Sequence, residues 1–326
     1  MPVIQYREAL NQALREEMQR DPDIFLMGEE VGAYDGAFKV SKGLLKEFGP
    51  KRVVDSPISE LGFVGLGIGA AMVGLHPCIE VMTWNFAILA MDQIVNNAAK
   101  LRYMSGGQLT CPIVFRGPTG AGQQLSSQHS QMLEAQYAYF PGLTVVTPGT
   151  PRDAKGLLKS ALRSKDPVIF MESEILYGLK GEVEDGELLI PLGQAEVKRE
   201  GTDVTVVCWH RMVHPALEAA EKLAAEGLSV EVVDLRTVRP LDAETVLRSV
   251  RKTNRCVVVE EAWHIASVGA TVVDIVQREA FDDLDAPVVR VNSKDVPMPY
   301  NKNLESLYAP SANDVIRAAK QVAYRD

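Results

Sequence analysis

Residues 55–82, DSPISELGFVGLGIGAAMVGLHPCIEVM, decide how this chain is to be read. Within them Gly65-Leu66-Gly67-Ile68-Gly69-Ala70 fits the dinucleotide-binding pattern G-x-G-x-x-G/A. That pattern holds a pyrophosphate only when its glycines form the turn directly after a strand, where a helix N-terminus meets the anion. Here the preceding strand-like run, RVVDS, ends near Asp55, well before Gly65. Ser59 is placed as an N-cap and Glu60 as the first helical residue, which puts Gly65, Gly67 and Gly69 inside the helix. No phosphate can be cradled there. A glycine inside a helix costs about 0.5–1 kcal/mol relative to alanine, so Gly62, Gly65, Gly67, Gly69 and Gly74 call for an offset. Close packing supplies one: Gly62, Gly65, Gly69 and Ala70 recur at spacings of three and four, predicting a flat stripe on which another helix or a subunit lies.

Outward from this helix the chain alternates between two textures. Apolar positions Leu10, Ala13, Leu14 and Met18 recur at helical spacing, Asp21-Pro22 ends that helix, and the strand-like IFLMG follows. Short apolar runs (RVVDS, CIEVM, CPIVFRG, LTVVTPG, PVIFMES) then alternate with helical stretches around 59–74, 86–103, 130–138 and 151–164. Such alternation predicts an α/β fold with a mostly parallel sheet covered on both faces. The acidic stretch GEVEDGELLIPLG, residues 181–193, breaks the pattern and is read as a linker between a domain at 1–180 and a smaller α/β domain at 194–326. In the second domain helices are expected at 213–226, 242–251, 267–281 and 311–324.

At 326 residues, 46% hydrophobic and 24% charged, the chain has a soluble globular composition and is too long for one comfortable core. Its net charge of -9 argues against nucleic-acid and anionic-membrane surfaces and leaves a basic protein partner open. The start of the sequence lacks the apolar core of a signal peptide and no apolar run is long enough to cross a bilayer, so a cytoplasmic or mature matrix protein is expected. Cys78, Cys111, Cys208 and Cys256 are widely spaced, without a C-x-x-C, and read as small core residues in a reducing compartment.

Glu60 heads the glycine-rich helix, and two readings compete for it. A first-turn acid complementing the helix dipole would have a lowered pKa. A buried acid hydrogen-bonding a ring nitrogen would have a raised one.

With MSGGQ, FRGPTGAG, SSQHSQ, PGLTVV, DAKGLLKSALR, DLRTVRPLD and DVPMPY, the stretch from Asp55 to Phe86 resembles the beta subunit of the thiamine-diphosphate-dependent decarboxylase component of 2-oxo acid dehydrogenase complexes, most of all its pyruvate branch. The likeness runs from about residue 3 to 324. It implies a transketolase-like pyrimidine-binding domain followed by a transketolase C-terminal-like domain. It also implies a reaction in which a thiamine ylid attacks the keto carbon of pyruvate, carbon dioxide leaves, and the acetyl unit passes to a lipoyl group of the acyltransferase core. Glu60 matches the family glutamate that bonds N1′ of the aminopyrimidine. Phe86, in TWNF, matches the aromatic that packs on the pyrimidine, with ordinary core packing as the competing reading. His129, in SSQHSQ, matches the histidine that assists transfer to lipoyl, whereas His210, His214 and His264 read as packing or surface residues. Leu89 stands where some relatives have glutamine.

The resemblance further implies a potassium site of backbone carbonyls at Ile113, Ala161, Leu162, Ser164 and Asp166, and contact of the second domain and the C-terminus, with Asp326, with a small basic domain of the core acyltransferase. Thiamine enzymes hold the diphosphate through magnesium on a G-D-G segment, which this sequence lacks; the pair Asp185-Gly186 has no glycine before it. The site is therefore expected to be half of one, with an alpha subunit supplying the magnesium and diphosphate in an α2β2 heterotetramer and close-packed helices at its interfaces. The mid-helix glycines disfavour a nicotinamide-dependent oxidoreductase. A non-catalytic scaffold, and a branched-chain 2-oxo acid or acetoin enzyme, compete with the pyruvate reading.

Overall fold

The computed structural model describes residues 1–325, which form two compact units. The first comprises 1–119 and 136–192, the second 120–135 and the chain from 193 onward. Residues 120–135, read in the sequence as part of the first domain, thus fold with the second unit.

In the first unit parallel strands lie in the order Thr144–Val146, Val168–Ser173, Val114–Thr119, His76–Glu80, Ile24–Gly28, Val53–Asp55. Their side chains are buried almost throughout, as expected of strands covered on both faces. Helix Tyr6–Arg20 lays Ala9, Leu10, Ala13, Leu14 and Met18 into the same core as Ala154, Leu157, Leu158 and Ala161 of helix Pro151–Leu162. Of residues 181–193, read as linker, 181–192 are packed onto this unit: Lys180–Glu182 pairs antiparallel with Val3–Gln5, and Leu188 and Ile190 enter the core. The apolar pair in GELLIP outweighs the acidic texture.

The glycine-rich helix spans Glu60–Met72 and buries Phe63, Val64, Gly67, Ile68 and Ala71. Ser59 holds the cap position, but its hydroxyl donates to the Pro57 carbonyl (3.1 Å) instead of capping. Close packing within the chain is made by Gly67, where a Cβ would lie 2.6 Å from Ile79 Cδ1, and by Gly65 against Gln93 at 3.3 Å. Gly62 and Gly69 of the stripe face outward, with Leu61 and Leu66 exposed beside them. Gly67→Ala is expected to destabilise the chain by about 1–3 kcal/mol through overpacking. Gly69→Ala, with nothing within 4 Å, is expected to leave it unchanged or stabilise it by about 0.5–1 kcal/mol. Thermal melts of the two variants check this, and assembly weakened by Gly69→Ala would mark the stripe as a subunit contact.

The single helix read at 86–103 is broken into α-helix Trp84–Ala87, a 3-10 turn Ile88–Ala90, a π-helix Gln93–Ala98 and α-helix Ala99–Met104. The apolar spacing still reads as helical because Ala90, Ile94, Val95 and Ala98 all face the core while the hydrogen-bond register shifts beneath them. Helix 130–138 is shorter than expected, Glu134–Ala138.

Three neighbouring strands share a buried charge network. Arg116 donates from Nε and Nη2 to the Glu172 carboxylate (2.5 and 2.6 Å) and from Nη1 to Glu80, while the Tyr177 hydroxyl donates to Glu172 (2.7 Å). Two carboxylates share one guanidinium, and burial raises the Glu80 carboxyl above its ordinary value despite Arg116.

The second unit is a five-stranded sheet in the order Val289–Val291, Cys256–Val259, Val204–Cys208, Val230–Asp234, Glu196–Arg199, parallel except for the last edge strand. Helices Val213–Ala225 and Ala312–Val322 share one apolar core with the sheet, while Ala243–Thr253 and Val268–Glu279 pack together. All four cysteines are free and buried, and burial pushes the Cys78, Cys111 and Cys256 thiols up to about 12, so they are inert at neutral pH. Among the described residues no helix is long and apolar enough to cross a membrane.

Candidate active site

In open α/β sheets ligands bind beyond the carboxyl ends of the strands. Three adjacent strands of the first unit end on candidate residues: Ile24–Gly28 on Glu29, Val53–Asp55 on the segment leading to Glu60, and His76–Glu80 on the turn leading to Phe86. The first two endings are tied together. Asp55 accepts from the amides of Gly32 (2.6 Å) and Ala33 (2.9 Å), and the Ser56 amide donates to the Gly28 carbonyl (2.8 Å). Gly28 must be glycine here, since a Cβ would lie 2.4 Å from the Glu80 carbonyl oxygen. Glu30 is held in the left-handed region at φ 59°, a strain of the kind stored near functional sites.

This arrangement sets two buried acids near one another. Glu60 and Glu29 are each 7% exposed. Burial raises the Glu29 carboxyl, and the neighbouring Glu60 charge raises it further. Glu29 Oε1 has no hydrogen-bond partner, and the Glu60 carboxyl makes no hydrogen bond or ion pair among the described residues. A helix-capping acid would be bonded to backbone amides; among the described residues Glu60 is bonded to none. Glu29 is not singled out by sequence reasoning, although an acid directly following the apolar run IFLMG is the signal that could have found it.

Phe86 sits in the short helix Trp84–Ala87, whose cap Thr83 accepts from the Asn85 amide (3.4 Å) and the Asn85 side chain (2.7 Å). Trp84 is fully buried, edge-to-face on Tyr137 with ring centroids 4.9 Å apart. With Trp84 and Asn85 anchored inward, Phe86 is left 36% exposed, which ordinary core packing would not allow, and Leu89 is exposed as well.

His129 closes a 3-10 turn, Ser127–His129, and is partly buried. It belongs to the second unit, so the structure groups Glu29, Glu60 and Phe86 in one unit and His129 in the other. His210 is fully buried, in the left-handed region at φ 56°, with Nδ1 3.6 Å from Glu261. Its ring is buried against that carboxylate, whereas the sequence offered a packing or surface role.

Known proteins match the chain along nearly its whole length. Residues 3–180 match the family model of the transketolase pyrimidine binding domain, and residues 193–315 that of the transketolase C-terminal domain. A pyruvate dehydrogenase E1 component subunit beta from Rickettsia bellii is 55% identical over 98% of this chain and 99% of its own length. The mitochondrial beta-2 subunit of the same component from Oryza sativa is 53% identical over 98% of this chain and 86% of its own. The chain belongs to the pyruvate dehydrogenase E1 beta-subunit family. A solved split-gene transketolase, described as an inactive beta4 tetramer, superposes with a TM-score of 0.79 at 27% identity over 98% of both chains.

The positions that the pyruvate dehydrogenase beta-subunit resemblance assigns to potassium all lie in the first unit. Helix Pro151–Leu162 ends among them, so the carbonyls of Ala161 and Leu162 lie at its electronegative end. The Ile113 carbonyl accepts from the Val168 amide (2.9 Å), that of Ala161 from the Ser164 amide (3.0 Å) and that of Asp166 from the Ser164 hydroxyl (2.9 Å). The Asp166 carboxylate is taken by Arg102 at 2.7 and 2.8 Å. Among the described residues no group of three His, Cys, Asp or Glu side chains is placed to hold a metal ion. Asp326 lies outside the described residues.

Proposed function

We propose that this chain is the pyrimidine-binding half of a thiamine-diphosphate-dependent pyruvate dehydrogenase, completed by an alpha subunit in an α2β2 heterotetramer that carries the magnesium and diphosphate. The observation that carries the reading is Glu60, a buried carboxyl beyond the strand ends that makes no hydrogen bond or ion pair among the described residues. An aminopyrimidine ring nitrogen would give it the hydrogen bond it lacks, so the residues present fit the cofactor. When bound, thiamine diphosphate supplies the nucleophilic carbon and the electron sink for decarboxylation of a 2-oxo acid. Glu60 holds a proton at N1′ of the aminopyrimidine, with the Glu29 carboxyl beside it. Phe86 offers its exposed ring to the pyrimidine face. The missing G-D-G motif supports placing the magnesium on the partner.

Co-expression with an alpha subunit tests the assignment. Reduction of an artificial electron acceptor should require thiamine diphosphate and magnesium and prefer pyruvate; preference for branched-chain 2-oxo acids or acetoin would move the chain to those enzymes, and activity independent of thiamine diphosphate would sink the reading. His129 acts in the transfer of the acetyl unit to lipoyl. In the assembled enzyme His129→Ala should lower acetylation of a lipoyl domain by about 10²-fold while sparing decarboxylation; equal loss in both steps counts against the role.

Potassium is held by the carbonyls of Ile113, Ala161, Leu162, Ser164 and Asp166. Potassium chloride should then raise the melting temperature more than tetramethylammonium chloride of equal ionic strength, and identical melts would remove the site. The second unit binds the lipoyl-bearing acyltransferase core through a basic domain, to be checked by pull-down with and without the last residues.

A further inference from the structure

The segment that carries His129 is anchored to the second unit at its neck. The Gly120 amide donates to the Gln131 carbonyl (2.8 Å), closing residues 120–131 into a loop. Directly at this closure the Ala121 amide donates to Glu261 Oε1 (2.6 Å). Gly120 has φ +79°, and a Cβ there would lie 2.7 Å from the same oxygen, so the neck is seated hard against that carboxylate. Glu261 is in turn clamped by Arg211, whose Nε and Nη2 donate at 2.7 and 3.0 Å, with His210 Nδ1 at 3.6 Å. Burial would raise the Glu261 carboxyl, but Arg211 and His210 hold it well below the usual range, so it stays an acceptor at every working pH. Ala121 packs with Met298 and Tyr308, and the Gln124 amide donates to Glu305 (3.2 Å). Farther along, the Trp209 indole donates to Glu134 (3.3 Å), whose carboxyl burial pushes up to about 8.

We propose that Glu261 is a positioning residue for the transfer step: by holding the Gly120–Ala121 neck it fixes the loop on which His129 is presented. The fixation is direct. Gln131, bonded across the neck, is two residues from His129, and the His129 amide is itself turned back on the Ser126 carbonyl (3.3 Å). A loop is by default mobile, and a reacting group displaced by about 1 Å can lose about 10²-fold in rate, so an ionic anchor at the neck gives His129 a fixed place. The inference rests on the reading of His129 as the group serving lipoyl.

The test uses the chain assembled with its alpha subunit. Glu261→Ala removes the anchor, Glu261→Gln keeps an acceptor for the Ala121 amide, and Gly120→Ala forces the neck away while leaving Glu261 and Arg211 in place. Glu261→Ala and Gly120→Ala should each lower acetylation of a lipoyl domain by about ten- to a hundredfold, spare decarboxylation with an artificial acceptor, and speed amide hydrogen exchange across residues 120–131; Glu261→Gln should recover much of both losses. Equal loss of both half-reactions, or unchanged exchange in the loop, overturns the anchor. If Glu261→Ala does not assemble, Gly120→Ala decides. If His129→Ala itself shows no selective loss, the reading of His129 fails, and the exchange measurement alone then upholds or rejects the anchoring of the loop by Glu261.

Discussion

Glu60→Gln in the assembled enzyme is expected to lower turnover by about 10²–10⁴-fold with the heterotetramer intact. Both halves follow from the same geometry. A glutamine fills the volume of the glutamate and can still touch a ring nitrogen, but it has no ionisable proton to transfer to it, so the acid–base step is lost while binding is largely kept. Stability is spared because Glu60 makes no hydrogen bond or ion pair among the described residues, and its charge works against the neighbouring Glu29. The variant should therefore melt no lower than the parent chain. Turnover within a few-fold of the parent, or a tetramer that falls apart, would each refute the assignment, the first on chemistry and the second by showing Glu60 to be structural. Single-turnover assays with thiamine diphosphate and native mass determination separate these outcomes.

Arg116→Leu is expected to be the most destabilising single change in the first unit, by about 3–5 kcal/mol. The leucine leaves Glu80 and Glu172, both buried, facing each other without the guanidinium that bonds them across three strands. The cost has a definite pH sign. Burial already raises the Glu80 carboxyl in the folded chain, and Arg116 is what opposes the rise. A carboxyl whose folded pKa lies above its unfolded value binds protons more readily in the folded state, so its stabilising contribution is present at low pH and is lost as pH rises through the folded value. Removing Arg116 widens that window, so the deficit of the variant should be smaller at pH 5 than at pH 8. The triple change Glu80→Gln, Arg116→Leu, Glu172→Gln removes the charges together and should recover most of the loss, because a neutral buried cluster carries no unpaired ion. Denaturant melts at the two pH values measure both effects, and a deficit that grew toward acid would contradict the account.

Much of the first unit was legible in the sequence because it rests on near-neighbour physics. The apolar runs at 24–28, 53–55, 76–80, 114–119, 144–146 and 168–173 are strands, and the helix begins at Glu60, which by itself removes the nicotinamide reading of GLGIG. Helical spacing failed where it is blind: between Trp84 and Met104 the buried face persists while the hydrogen bonding changes from α to 3-10 to π. The stripe of Gly62, Gly65 and Gly69 was visible as a pattern, yet among the glycines of this helix the sharpest contact belongs to Gly67, because it is the position that the sheet approaches through Ile79.

What the sequence determined by itself was the set of elements, the family likeness and the place of Glu60 at the head of its helix, all fixed by residues within a turn or two of one another. Only the tertiary structure decided that Glu29 stands beside Glu60, that Arg116 closes on Glu80 and Glu172, and that the His129 segment is held by Glu261 of the second unit. The physical reason is common to all three: each pairing joins residues from different strands or loops, dozens to more than a hundred positions apart, and strand order and burial, which no local periodicity records, bring them within reach.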